Sequence, residues 1–176
     1  MASTPAGVQV RPGVEGDLDA LTEIYNHYVR ETAITFDTVP LTPCERRPWL
    51  LSHPQDGPHR LMVATETVPG TGAGRILGYA TSGPHRARPA YATSVETSVY
   101  LAHGAGRRGI GTLLYATLFE ALSGEDVHRA FAGITQPNEA SVRLHGRFGF
   151  RHLGTFGEVG RKFGRYWDVA WYEKEL

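Results

Sequence analysis

The 176-residue sequence predicts a single α/β domain (α+β in some classifications), in which one central mixed sheet is covered by helices on both faces. Segments of alternating apolar and polar residues, typical of strands, are interspersed with segments of helical periodicity. This order favours one sheet with helices packed against it. The length also suits one domain, which would bury about 70% of its unfolded surface. We therefore expect one folded unit over residues 8–176, after a loose tail at 1–7.

Periodicity and helix-start signals predict the first three elements. A short strand is expected at 8–11, and a helix at about 17–30 carries apolar residues at helical spacing. Thr42-Pro43-Cys44-Glu45 is a capping box with proline at the first helical position. It predicts a second helix that ends near Ser52.

Three strands and a third helix follow. The segments 60–65 and 76–82 alternate as strands do, and the turn-rich segment 69–74 joins them. A longer strand at 92–101 enters a glycine-rich turn. The apolar segment 113–122 has helical spacing and predicts the third helix.

The last four elements complete the alternation. A strand is expected at 130–134 and a helix at 138–148, for which Gly149 is a natural residue just past the C-terminus. Two more strands, at 153–159 and 166–172, are expected to close the chain as a hairpin. The count of predicted strands is therefore seven.

Charge and cysteine content exclude several classes of protein. The 18 basic and 18 acidic residues balance, so no global field favours nucleic acid or a membrane surface. The single cysteine, Cys44, excludes an internal disulfide and is compatible with a reducing compartment. No apolar run reaches the roughly 18 residues that a membrane span needs. The spacing of the eight histidines matches no metal motif. We expect a cytoplasmic protein that needs no metal.

Residues 107–112, with the sequence Arg-Arg-Gly-Ile-Gly-Thr, are the most informative stretch of the chain. They lie between the predicted strand at 92–101 and the predicted helix at 113–122. Such a turn presents backbone N–H groups at a helix N-terminus, where the dipole favours phosphate. Glycine lets the backbone approach an anion without a Cβ in the way. The expected ligand therefore carries a phosphate or a pyrophosphate.

Two other nucleotide-binding motifs fit this turn less well. A Walker A loop ends in Gly-Lys-Ser/Thr, and no lysine lies near Gly111. Gly104-Ala105-Gly106-Arg107-Arg108-Gly109 matches the letters of a Rossmann fingerprint, but it lies past the middle of the chain and not in an early βαβ unit. A tight turn that binds nothing stays open as an alternative.

The turn, the strand before it and the order of elements together resemble the GCN5-related N-acetyltransferase (GNAT) superfamily. The loop of that superfamily reads Q/R-x-x-G-x-G/A and binds acetyl-CoA through backbone amides. Here it reads Gly106-Arg107-Arg108-Gly109-Ile110-Gly111, so glycine replaces the first Gln or Arg and one side-chain contact is lost. The resemblance implies acetyl-CoA as co-substrate and a mostly antiparallel sheet of about seven strands. It implies these cofactor-binding residues: Val99, Tyr100, Leu101, Gly106, Arg107, Arg108, Gly109, Ile110, Gly111, Thr112 and Asn138.

Five further motifs, in order along the chain, resemble the branch that acetylates phosphinothricin, methionine sulfoximine or arsinothricin. They are Ile24-Tyr25-Asn26-His27-Tyr28, residues 83–91 (GPHRARPAY), residues 95–100 (VETSVY), residues 137–142 (PNEASV) and Leu144-His145 with Gly149-Phe150. The resemblance implies an N-acetyltransferase that acts on the α-amine of a small amino-acid analogue, in detoxification or resistance. It also implies a homodimer.

Glu96 is the candidate general base. It lies in the middle of a predicted strand, where a carboxylate costs desolvation unless it has a partner or a task. Acetyl transfer provides a task, because an ammonium group must lose a proton before its nitrogen can attack a thioester. The resemblance assigns the general base to this position. An exposed acid of an edge strand, paired with an arginine, is the alternative.

Two residues of the last predicted helix are further candidates. His145 lies where the branch resembled here uses histidine, and it is expected either to protonate the departing thiolate or to help orient Glu96. A structural helix histidine is the alternative. Asn138 is a good N-cap of this helix, and the resemblance also gives it a contact with the cofactor.

Four residues are candidates for binding the acceptor. Arg86 and Arg88 alternate in an extended segment, so both guanidinium groups are expected on one side, where they could hold a carboxylate and a phosphinate. Tyr91 follows closely. The resemblance places Phe36 in the acceptor pocket. A solvated basic loop and a core phenylalanine are the respective alternatives.

The sequence thus predicts direct transfer in a ternary complex. A ping-pong route through Cys44 is disfavoured, since Cys44 lies beside the predicted capping box and far along the chain from these motifs. A different acceptor, either a peptide N-terminus or a polyamine, is one alternative. Arg86 and Arg88 argue against a cationic polyamine. A non-catalytic regulator that binds acetyl-CoA is the other alternative.

Overall fold

The computed structural model describes residues 7–67 and 74–176, over which it has seven strands and four helices in the predicted order. The strands are β1 (Val8–Pro12), β2 (Leu61–Thr67), β3 (Gly74–Pro84), β4 (Ser94–Leu101), β5 (Arg129–Thr135), β6 (Arg151–Lys162) and β7 (Arg165–Glu175). The helices are α1 (Leu18–Glu31), α2 (Pro43–Leu51), α3 (Ile110–Leu122) and α4 (Glu139–Arg147). Apart from Gly7 and Gly74, the predicted tail at 1–7 and the predicted turn at 69–74 lie outside the described residues.

The seven strands form one sheet in the order β1-β2-β3-β4-β5-β7-β6. Neighbouring strands are antiparallel except β4 and β5, which are parallel. This confirms the predicted mixed, mostly antiparallel sheet. The last two strands pair as the predicted hairpin.

The sheet has an apolar core on each face, because side chains alternate between the faces along each strand. On one face, α3 contributes Leu114 to a cluster that contains Val95 of β4. On the opposite face, Leu21 of α1 and Leu50 of α2 join a cluster with Tyr79 of β3. The predicted cover on both faces is confirmed. Across the described part of the chain, no helix combines the length and the apolar character needed to cross a membrane.

Local signals fix the ends of the helices. At the start of α2, Thr42 Oγ1 accepts from the Glu45 N–H at 3.3 Å, and the Glu45 carboxylate accepts from the Thr42 N–H at 2.8 Å. After α4, Gly149 has the left-handed φ of 82° expected past a helix end. α3 begins at Ile110, three residues before the predicted start, because Gly109 with φ 77° already serves as its N-cap.

β4 and β5 are paired only at their first residues. The ladder runs from Ser94 with Arg129 to Glu96 with Phe131, although both strands continue beyond it. Beyond Glu96 the two strands diverge. The sheet is therefore open in its middle, beside the N-termini of α3 and α4.

Candidate active site

The backbone of β4 has a free edge where β5 diverges. Leu101 shows which way this edge faces, since its N–H donates to the Tyr28 hydroxyl at 3.1 Å and its carbonyl accepts from the same hydroxyl at 2.8 Å. Val99 lies two residues earlier, so its N–H and carbonyl face the same side. No described strand pairs with this edge at Val99. The backbone edge at residues 99–101, which was predicted to bind the cofactor, is thus open at Val99 and occupied by Tyr28 at Leu101.

The glycine-rich turn ends in three unpaired helical amides. The first intrahelical hydrogen bond of α3 runs from the Leu113 N–H to the Gly109 carbonyl at 3.0 Å. The N–H groups of Ile110, Gly111 and Thr112 therefore have no helical acceptor. A Cβ on Gly111 would lie 3.3 Å from Leu144 of α4, so glycine here lets the two helices approach. This arrangement has the geometry of an anion site at a helix N-terminus.

A cleft of about 480 Å³ joins the free edge of β4 to these amides. Eight of the predicted cofactor-binding residues line it: Val99, Leu101, Arg107, Gly109, Ile110, Gly111, Thr112 and Asn138. The lining does not include Tyr100, Gly106 or Arg108. The Arg108 side chain instead makes an ion pair with Glu66 of β2.

Three arginines line this cleft. Arg107, from the turn, lines it together with Arg143 and Arg147 of α4. Arg143 is paired with Glu139 at 2.9 Å, so the positive charge comes mainly from Arg107 and Arg147. The two helical arginines were missed in the sequence, although their spacing of four residues places them on one helix face. Free amides beside guanidinium groups are the donors that phosphate and pyrophosphate accept from. The residues present therefore fit acetyl-CoA.

Asn138 has the capping role predicted for it. Its side-chain oxygen accepts from the Ser141 N–H at 3.2 Å at the start of α4. It also lines the cleft. Contact with a cofactor stays a prediction.

Glu96 is a half-buried carboxylate at the point where β4 and β5 part. Period-two alternation puts it on the same face as Ser98 and Tyr100, which is the face covered by α1 and α2. Burial raises the pKa of the Glu96 carboxyl. A carboxyl group with a raised pKa is a better match for proton abstraction near neutral pH. Glu96 does not line the 480 Å³ cleft, and it stands at the other side of the opened sheet.

His85 faces Glu96 from the segment after β3. Its Nδ1 lies 3.9 Å from Glu96 Oε2, and its ring stacks on Phe131 with centroids 4.2 Å apart. The Arg86 Nε–H donates to His85 Nε2 at 3.4 Å, which leaves the ring proton on Nδ1. Nδ1 is buried without a hydrogen-bond partner among the described residues. Sequence reasoning missed His85, because the contact follows from the strand register that pairs Gly83 with Glu96.

His145 has both ring nitrogens engaged. Its Nδ1 lies 2.8 Å from the Ser141 carbonyl, which only accepts, so Nδ1 carries the proton. The Tyr115 hydroxyl then donates to Nε2 at 2.9 Å. The same hydroxyl lies 3.4 Å from Thr97 Oγ1 of β4. Burial lowers the pKa of His145, so the ring is neutral near pH 7. No sequence motif indicated that Tyr115 completes this link.

The four predicted acceptor-binding residues are exposed, and two of them, Arg86 and Tyr91, contact His85 at the rim of the region around Glu96. Arg86 is exposed, and its guanidinium carbon lies 5.7 Å from the ring centroid of Tyr91. Tyr91 in turn makes an edge contact with His85, which faces Glu96. Arg86 and Tyr91 therefore lie near Glu96. Arg88 is exposed at the N-cap of the short turn at 89–91. Phe36 is 37% exposed, and its ring lies where a Cβ of Gly160 would be.

The chain is similar over most of its length to known acetyltransferases. Residues 13–171 match the family model described as the acetyltransferase (GNAT) domain. The phosphinothricin N-acetyltransferase of Streptomyces coelicolor is 74% identical over 171 residues, which are 97% of this chain and 98% of that protein. The L-methionine sulfoximine/L-methionine sulfone acetyltransferase of Pseudomonas paraeruginosa is 31% identical, over 95% of this chain and 94% of that protein.

A solved structure has the same fold. The phosphinothricin acetyltransferase of Sinorhizobium meliloti, in complex with acetyl-CoA, matches with a TM-score of 0.87 at 29% identity. The match covers 97% of this chain and 89% of that one.

Proposed function

The chain belongs to the GNAT acetyltransferase family, and we propose that it moves the acetyl group of acetyl-CoA to the α-amine of a small amino-acid analogue. The proposed acceptors are phosphinothricin, methionine sulfoximine and arsinothricin, so the reaction would serve detoxification or resistance. The names of the relatives at 74% and 31% identity support the first two acceptors. The third rests on the sequence motifs alone.

One observation carries the proposal. The unpaired amides of Ile110–Thr112 and the free backbone edge at Val99 line one cleft, and Glu96 ends the ladder between β4 and β5 three residues before Val99. The amides would hold the pyrophosphate, with Arg107 and the α4 arginines beside them. Bound acetyl-CoA supplies an acetyl group activated as a thioester.

Three groups of this chain are proposed to carry the reaction. Glu96 takes the proton that the ammonium group of the acceptor must lose before its nitrogen attacks. As the C–N bond forms, the C–S bond of the thioester would break, and the thiolate would leave with the second proton of the amine, directly or through water. The Val99 N–H donates to the carbonyl oxygen as negative charge develops there. Both ring nitrogens of His145 are engaged in hydrogen bonds, so we assign it a positioning role that acts through Tyr115 and Thr97 on β4.

The acceptor is proposed to enter beside the segment that contains Arg86, Arg88 and Tyr91. Exposed arginines at the rim attract an anionic amino acid and repel a cation such as a polyamine. Arg86 lies next to His85, which faces Glu96. An α-carboxylate held here would keep the neighbouring amine near the base.

Thiol release with a panel of amines tests this function. Phosphinothricin, methionine sulfoximine, arsinothricin, a peptide with a free N-terminus and spermidine would be compared at equal concentration. We expect turnover with the three amino-acid analogues. A preference for spermidine or for the peptide would contradict the proposed acceptor class. Binding of acetyl-CoA with no thiol release from any amine would identify a regulator.

A cytoplasmic homodimer is proposed as the working form. The β6–β7 hairpin exposes five large apolar side chains, which are Leu153, Phe156, Val159, Phe163 and Tyr166. Clusters of this kind mark surfaces for protein contact. Sedimentation of the purified protein should give the mass of a dimer. A monomer at micromolar concentration would contradict this part of the proposal.

A further inference from the structure

A second cavity, of about 280 Å³, lies on the face of the sheet that carries Glu96. Its wall comes from α1, the segment after it, α2, β3 and β4. The lining residues with aromatic rings are Tyr25, Trp49, Tyr79 and Tyr100. Arg46 of α2 lines the same cavity, although it is only 5% exposed.

Arg46 is a buried cation held by aromatic rings. Its guanidinium carbon lies 3.9 Å from the ring centroid of Tyr25 and 3.9 Å from that of Trp49, so both rings pack closely against the guanidinium group. Its Nη2 donates to the Tyr79 hydroxyl at 2.8 Å. Its Nε is buried without a partner among the described residues. Cation–π contacts offset only part of the cost of burying a charge.

The carboxylates near Arg46 are engaged elsewhere. Asp37 Oδ2 accepts from the Tyr25 hydroxyl at 2.6 Å. Glu45 Oε2 accepts from the N–H and the hydroxyl of Thr42, both at 2.8 Å. Within residues 7–67 and 74–176, neither of them forms an ion pair with Arg46. Within the part of the chain that the structure describes, no ion pair therefore neutralises Arg46.

The distance from Glu96 decides which group of the acceptor can reach Arg46. Ser98 and Tyr100 line the cavity and share a face with Glu96, and two strand residues span about 7 Å. The α-carboxylate of an amino acid is attached to the carbon that bears the amine, so it stays within about 3 Å of the nitrogen. The end of a side chain with two methylene groups lies about 5–6 Å away. An acceptor whose amine is at Glu96 therefore reaches this cavity with its side chain.

We propose that Arg46 is a specificity-determining residue, which binds the side-chain oxyanion of the acceptor, while the α-carboxylate stays at the rim with Arg86 and Arg88. This inference rests on the proposed function and narrows it. The preferred acceptors are amino acids whose side chain ends in a phosphinate or another tetrahedral oxyanion, and neutral sulfones are poorer acceptors.

Kinetics of R46Q on two acceptors test the proposal. Phosphinothricin carries an anionic side chain, and methionine sulfone carries a neutral one of similar length. We expect R46Q to lower kcat/KM for phosphinothricin by about 30-fold or more, mainly through KM, because a charged hydrogen bond is lost. The loss for methionine sulfone should be below about 5-fold. R46K, which keeps the charge, should restore part of the difference. Misfolding would lower kcat/KM equally for both acceptors. An equal loss of kcat/KM in R46Q therefore overturns the proposal.

A binding measurement separates this inference from the proposed function. Trp49 stacks on Arg46, so an anion bound there should change the fluorescence of Trp49. Phosphinothricin titrated into the wild-type protein should give a saturable change that R46Q and W49F both lack. If no amino acid is turned over, the proposed function fails, and this titration alone decides the role of Arg46. The proposed role of Arg46 is overturned if the wild-type protein shows no saturable fluorescence change. It is also overturned if R46Q shows the same change as the wild-type protein.

Discussion

The two sides of the opened sheet are proposed to recognise their ligands in different ways. On the proposed cofactor side, the donors are the backbone amides of Ile110–Thr112 and Val99, which depend on the backbone conformation and not on a side-chain functional group. On the acceptor side, the groups are the side chains of Glu96, His85 and Arg46, which come from β4, the segment after β3, and α2. The first side depends on chain geometry and the second on residue identity. Substitutions should therefore affect the two sides unequally.

The largest expected effect is at Glu96. E96Q keeps the shape of the side chain and removes the proposed base, so turnover should fall at least about 100-fold at neutral pH. Thiol release measures the loss. The affinity for acetyl-CoA, measured by calorimetry, should stay unchanged, since Glu96 lies outside the cofactor cleft. Near-normal turnover would assign the base to another residue.

A matched pair of arginines tests the cofactor side. R107Q removes a charge that lines the cleft, so the KM for acetyl-CoA should rise about tenfold while the KM for the acceptor stays the same. R108Q is the control, because Arg108 is paired with Glu66 and does not line the cleft. We expect at most about a twofold change in R108Q. Equal effects of the two substitutions would contradict the placement of Arg108.

Removing the Tyr28 hydroxyl tests the edge of β4. Y28F leaves both the N–H and the carbonyl of Leu101 without their partner, so the free energy of unfolding should fall by about 1–2 kcal/mol. Denaturant unfolding measures this change. An unchanged stability in Y28F would mean that water replaces the hydroxyl fully.

The smallest expected effect is a shift in pH dependence. The rate should fall as the pH drops through the Glu96 pKa, which burial has already raised, because the protonated carboxyl cannot accept a proton. H85F keeps a ring over Phe131 and removes the Nδ1–H that faces Glu96. The pKa of Glu96 should then rise further, and the acid limb of kcat/KM should move up by about half a pH unit. No shift, or a shift to lower pH, would exclude this influence of His85.

The fold and the place of the glycine turn at the N-terminus of α3 were predictable because their signals are local. Strand and helix periodicities, the capping box at Thr42 and the glycine turn at 109–111 each lie within a few consecutive residues. Arg46 and His85 were not found, because their surroundings depend on how α2 and β3 pack against β4. Arg108 shows a limit even within a motif. Its backbone belongs to the turn, yet its side chain forms an ion pair with Glu66 outside the cleft.

The divergence of β4 from β5 also bears on how this enzyme can evolve. Only three residue pairs connect the two halves of the sheet. The half with β1–β4 carries the acceptor cavity, and the half with β5–β7 carries the exposed hairpin. Because so few residue pairs are shared, substitutions that change the proposed acceptor preference need not disturb the proposed assembly surface. A lineage could then exchange one acceptor for another and keep the same surface on the hairpin.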